Sequence, residues 1–226
     1  MAAGCVFGFV QPALADCGAA GVEVVGTDEE VAVACDALDD VRDYFGRLGF
    51  TLEPSVEISF QEEVLLEVDE GDDYRVSGCF IAPLHRIEVT SWTSASQAER
   101  RPWGVDWGRV IVASITRHEL VHMAISEVLG EQDQRVGVPW HEFIAYAVQF
   151  ELMDPTLRGR ILESYADLSP FTSPDHVNVF LHGADPDAFG VRSYLYAQER
   201  GGIDFIRSIL AGDVSFDTRA ELLLCK

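Results

Sequence analysis

Basic residues are scarce in this chain of 226: 16 Lys and Arg stand against 38 Asp and Glu, for a formal net charge of −22. The few cations form no dense run. Without a positive stripe to neutralise phosphates, nucleic acid and anionic membrane surfaces are poor partners, and the acidity is read as solubility. No apolar stretch is long enough to span a bilayer. No internal repeat is visible, and no Cys-x-x-Cys or Cys/His spacing marks the thiols as metal ligands or nucleophiles. With 48% hydrophobic content the chain can still bury a sizeable core.

Lys and Arg are also missing ahead of the first apolar stretch, Cys5-Val6-Phe7-Gly8-Phe9-Val10. Pro12 and Ala13-Leu14-Ala15 follow before Asp16, which gives residues 1–15 the form of an export signal ending at an A-x-A cleavage site. The alternative is a buried first strand. Export to the periplasm or outside the cell is therefore expected. Removing the leader leaves Cys17, Cys35, Cys79 and Cys225, an even number suited to two disulfides in an oxidising compartment. Of the three possible pairings, the short first loop favours Cys17 with Cys35, and hence Cys79 with Cys225.

What the chain does contain is His118-Glu119-Leu120-Val121-His122, an HExxH pattern. On a helix, residues four apart share a face, so the imidazoles of His118 and His122 can reach one ion while Glu119 serves as general base. The flanks supply that helix. Val110, Ile111, Ile115, Leu120, Val121, Ile125, Val128 and Leu129 recur with helical rather than alternating spacing, and Gly130 stops the run. With only six histidines in the chain, chance occurrence of the pattern is on the order of one in a hundred.

A catalytic zinc usually takes three protein ligands and keeps a fourth position open. The metzincin continuation is excluded, because Ile125 and Val128 stand where its glycine and third histidine belong. Twenty positions after His122 comes Glu142, in the first turns of a second helix that Pro139 opens and Asp154-Pro155 closes. His141 is a rival, but helical neighbours diverge by about 100°, so only one of the two can face the ion.

His118, Glu119, His122, the spacing to Glu142 and the segment Trp140 to Ala145 resemble the gluzincins, zinc peptidases in which a second helix donates a glutamate to the HExxH site. The resemblance covers roughly residues 110–152, with a looser echo from Tyr194 to Gly202. It implies one zinc per chain on His118, His122 and Glu142, Glu119 as general base, and hydrolysis of a peptide or protein substrate. A downstream tyrosine or histidine would stabilise the oxyanion; Tyr194 is preferred over Tyr196, His176 and His182 because it lies near the start of the closing helix. The chain departs from the pattern at Phe143, where a glycine is usual, and at Tyr146, where thermolysin-like enzymes place the aspartate that orients a zinc-bound histidine. A tyrosine hydroxyl or a backbone carbonyl would have to serve instead. The aminopeptidase Gly-x-Met-Glu-Asn motif is absent, so amino-terminal trimming is not implied. The other reading is a catalytically inactive domain that holds a metal or a partner, and the retained Glu119 weighs against it.

Organisation runs from mixed to helical. A strand at Val22 to Val25, a helix from Thr27 to Gly49 and alternating runs at Val56-Ile58-Phe60, Tyr74-Val76-Gly78 and Ile87-Val89 predict a small twisted mixed sheet. Ser94 to Trp107 reads as a connection that rims the cleft, and short helices follow Leu152. The fold class is α+β and, by the resemblance, zincin-like: one domain over 16–226, with a mixed α/β lobe at 16–104 and a mainly helical lobe at 105–226. By the same analogy, Arg86 to Ser91 would form the exposed sheet edge that holds substrate backbone.

Overall fold

A computed structural model describes residues 13–15, 17–67, 73–97 and 99–214. The fold is α+β, with a small mixed sheet and a mainly helical C-terminal half. Strands β1 (Ala13–Ala15) and β2 (Val22–Gly26) lead into helix α1 (Asp28–Leu48). Thr27 caps α1 in a reciprocal capping box with Glu30, and Gly49 ends it with φ 90°, a left-handed conformation that glycine adopts without strain. Strands β3 (Val56–Gln61), β4 (Val64–Glu67), β5 (Asp73–Val76), β6 (Gly78–Ile81) and β7 (Arg86–Thr90) follow.

The main sheet has the order β1-β2-β3-β7-β6, with β2, β3 and β7 parallel and both edge strands antiparallel to their neighbours. The sequence run Tyr74-Val76-Gly78 is therefore two strands. It breaks at Ser77, and its first half pairs with the unforeseen β4 in a separate two-stranded ribbon. Side chains alternate on β6: Cys79 and Ile81 pack with Val64 of the ribbon, and Gly78 turns the other way.

The expected edge at Arg86 to Ser91 is corrected. β7 lies inside the sheet, between β3 and β6, because the chain reverses through Ala82–Leu84 and His85 (φ 48°) and brings β6 back to the outside. The edge strand of that flank is β6.

The C-terminal half holds α2 (Arg109–Leu129), α3 (Val138–Leu152), α4 (Pro155–Ser164), α5 (Val179–Ala184), α6 (Pro186–Glu199) and α7 (Ile203–Ala211). α1 packs on β2 and α2, α2 crosses β6 and β7, and α3 lies between α2 and α6. One apolar core joins Val24, Ile58 and Ile87 of the sheet to Leu38 and Phe45 of α1, Leu120 of α2, Phe143 of α3 and Phe189 of α6. Burial on this scale, at about 25 cal/mol per Å² of apolar surface, is what holds a helix as apolar as α2 in place. No described helix is long and apolar enough to cross a membrane.

Cys17 and Cys35 are bonded, tying the segment before β2 to α1. Cys79 is also in a disulfide; the expected partner, Cys225, lies outside the described residues. Of the expected leader only Ala13–Ala15 is described, and it pairs with β2 as an edge strand. An intramolecular disulfide is compatible with export.

Candidate metal centre

His118 and His122 stand one turn apart on α2, and Glu142 faces them from the fifth position of α3. The Nε2 atoms of the two histidines are 3.1 Å apart. Glu142 Oε2 lies 3.3 Å from His118 Nε2, and Glu142 Oε1 lies 3.5 Å from His122 Nε2. Bonds of about 2.0–2.2 Å to a tetrahedral ion would separate its donors by about 3.3–3.6 Å; the two histidine–carboxylate distances fall in that range and the 3.1 Å between the imidazoles lies just below it. The three residues form a group that could hold a metal ion.

The expected alternative third ligand turns elsewhere. His141 Nε2 lies 3.2 Å from Asp133 Oδ1, and its ring lies parallel to that of His122 at 6.2 Å.

The other ring nitrogen of His118 has a partner the sequence reading missed. His118 Nδ1 lies 3.1 Å from Gln149 Oε1, and the Gln149 amide in turn donates to Ser114 Oγ at 3.0 Å. With Gln149 accepting, His118 carries its proton on Nδ1 and turns the Nε2 lone pair toward the centre. Tyr146 does not take this role. Its ring meets the His118 ring edge-on, with centroids 4.5 Å apart. A signal for Gln149 was present: it is the polar residue in the apolar run Ala147-Val148-Gln149-Phe150, seven positions after Glu142 and so on the same helix face.

Glu119 takes no part in the ligand group and packs against the β6 edge, where the backbone N–H of Phe80 donates to its carboxylate. An edge strand leaves alternate amides without a strand partner, and the base takes one of them. A Cβ at Gly78 would come within 2.9 Å of Glu119 Cγ and Oε1, so the close approach of strand to base depends on that glycine.

Charge and burial act together here. Burial raises the Glu119 carboxyl to about 7, aided by the Glu142 charge and opposed by His118 and the Phe80 amide. Burial also drives His122 down to about 3, with the neighbouring histidines adding to the effect and Glu142 opposing it. Glu142 goes the other way: despite burial, His122, His118 and His182 hold it well below the usual carboxylate range. For His118, burial pulls downward but is outweighed by the hydrogen bond to Glu142 and the charges of Glu119 and Glu142, so the net shift is upward.

Of the four expected oxyanion partners, the structure brings only His182 to the group. His182 rides on α5 with Nε2 3.6 Å from Glu142 Oε2. Tyr194 stacks on Phe150 at 5.5 Å, beneath the Arg158 guanidinium. Phe150 lies eight residues beyond Glu142 on α3, about 12 Å along the axis, so the contacts of Tyr194 are made toward the far end of that helix from the ligand. Tyr196 is buried in the core against Phe143 and Phe205, and His176 meets Thr172 on the surface. The groove lined by Gly18, Gly21, Ser55, Glu57 and His85 lies at the N-terminal ends of the parallel strands, away from the metal-binding group.

Fold and site together define an α+β protein whose helical half presents a largely buried His/His/Glu group next to a further carboxylate. Residues 22–219 match the model of a family of unknown function, DUF6639, and the chain belongs to that family. No curated protein and no solved structure matches the chain.

Proposed function

We propose that the protein is an exported, zinc-dependent peptide-bond hydrolase of gluzincin type on a zincin-like fold, holding one zinc per chain on His118, His122 and Glu142. The observation that carries this reading is the convergence of three side chains, His118, His122 and Glu142, with donor atoms 3.1, 3.3 and 3.5 Å apart, beside a further carboxylate, Glu119, that takes no part in the group. A site that only held a metal would have no use for that carboxylate. Two imidazoles and one carboxylate suit zinc and leave a position open.

When bound, zinc supplies Lewis-acid polarisation of a carbonyl and lowers the pKa of its water toward neutrality. The chain's own residues supply the rest. Glu119 accepts the proton of the attacking water as the water oxygen bonds to the carbonyl carbon. The C–N bond then breaks, and Glu119 passes the proton to the leaving nitrogen. Gln149 and Ser114 keep His118 in the ligating tautomer, and Gly78 lets β6 press the base into position. His182, whose side chain is 30% exposed, lies 3.6 Å from Glu142 Oε2, where it could meet a bound substrate. Strand β6 ends its sheet, so an extended peptide can add to its outer edge. That geometry favours a peptide or protein substrate.

The test uses zinc-loaded protein and an unfolded protein substrate. Glu119→Gln is expected to keep its zinc and lose turnover by about 10²–10⁴-fold, the usual contribution of a general base. Undiminished turnover would remove Glu119 from that role, and a wild-type protein that holds zinc but cleaves nothing would leave the metal-holding reading.

A further inference from the structure

We infer that Tyr146, one turn beyond Glu142 on α3, is a further catalytic residue whose phenol O–H donates a hydrogen bond to the oxyanion formed on the substrate carbonyl. This rests on the hydrolase reading above and assigns it a residue that sequence position had marked only for orienting a histidine.

Three independent features converge on Tyr146. Its duty toward His118 is already discharged, because Gln149 occupies His118 Nδ1 at 3.1 Å. Its ring is clamped on every side: edge-on to His118 at 4.5 Å, to His182 at 5.9 Å, to Phe189 at 6.0 Å and to Trp103 at 6.3 Å. On the α6 side, a Cβ at Gly190 would lie 2.7 Å from Tyr146 Cδ1, so that helix can come this close only with glycine there. Trp103 is itself fixed, in a left-handed conformation (φ 53°), with its backbone N–H donating to Asp187 Oδ2 at 2.7 Å and its indole N–H to Asp187 O at 3.0 Å. Helix α6 therefore holds the ring directly through Gly190 and indirectly through Asp187 and Trp103.

Among the described residues the hydroxyl at the end of this fixed ring has no hydrogen-bond partner, and its surroundings act on it through burial and charge alone. A tyrosine held among aromatic and polar neighbours ordinarily finds a partner for its O–H. A phenol is protonated at neutral pH and able to donate. A donor held rigid by its surroundings and free of other partners is what electrostatic stabilisation of a developing oxyanion needs, since it requires no reorganisation when the charge appears.

Tyr146→Phe tests this, because phenylalanine keeps every ring contact and removes only the hydroxyl. Zinc content and thermal midpoint are expected to match wild type, KM to change little, and kcat to fall about 10²–10³-fold. A second readout is independent of turnover. A peptide phosphonate, whose tetrahedral P–O⁻ stands for the oxyanion, should bind the zinc-loaded variant about 10²-fold more weakly by calorimetry, while the cleaved product peptide binds both proteins equally. Gly190→Ala, which displaces the ring but leaves the hydroxyl, should lower kcat with zinc retained. Wild-type turnover and phosphonate affinity in Tyr146→Phe, alongside an inactive Glu119→Gln, would overturn the assignment and leave the hydrolase standing. A wild-type protein that neither cleaves nor binds the phosphonate would bring down both.

Discussion

His118 Nδ1 and Gln149 Oε1 are 3.1 Å apart, in a region where Gln149 is 1% exposed. This contact joins the two helices that carry the ligands. It fixes the tautomer of one imidazole, and Ser114 fixes the amide in turn.

Gln149→Leu is expected to keep the fold, since the replacement is apolar and of similar size in a buried place, and to weaken zinc binding about 10–100-fold, the usual cost of losing a ligand's outer partner. Competition against a chelator of known affinity checks this. Unchanged affinity would mean that the Gln149 contact is packing alone.

Zinc binding should release a proton. His118 is shifted upward, so near and above its ordinary value Nε2 still holds a proton that the metal must displace; His122, lowered to about 3, and Glu142, held far down, have none to give at neutral pH. Log affinity should therefore fall by about one unit for each unit that pH drops below the His118 value, and level off above it. Calorimetry of Glu119→Gln in buffers of different ionisation heat counts the His118 proton without a contribution from Glu119. A pH-independent affinity between 5 and 8 would contradict the upward shift.

Gly78→Ala places a methyl 2.9 Å from the Glu119 carboxylate and 3.0 Å from Ile115 Cγ2. The approach reaches Glu119 Cγ as well as its carboxylate, and both Glu119 and Ile115 are buried, so the neighbours must shift. The variant is expected to lose about 1–3 kcal/mol of stability through overpacking. It should also lose turnover, with its zinc content intact, because Gly78 touches the base and not the ligands. Denaturant unfolding with a metal assay separates the two effects. Turnover and stability equal to wild type would mean that β6 does not constrain Glu119.

Much of the centre was legible in the sequence because it is local. The i, i+4 spacing of His118 and His122 and the period of their helix predict one shared face, and Pro139 predicts the helix that brings in Glu142. The capping box at Thr27 and Glu30 and the glycine at 49 likewise fix α1 from its own residues. What escaped depends on contacts between distant segments. The exposed edge went to β7 rather than β6, because strand order follows from how the chain reverses at His85, and no alternation pattern encodes that. The choice among Tyr194, Tyr196, His176 and His182 turned on how α5 and α6 dock on α3, set by the close approach of Gly190 to Tyr146. Gln149 offered a signal, a lone polar residue in an apolar run, but its partner lies 31 residues back in sequence.

The claim on which everything else rests is that His118, His122 and Glu142 bind one cation. The most direct measurement is metal stoichiometry after equilibrium dialysis against zinc, for wild type and for His118→Ala, His122→Ala and Glu142→Ala. About one zinc per chain in wild type, and little in each variant while all three stay folded, is the predicted result. No bound metal in wild type, or full occupancy in all three variants, would contradict it.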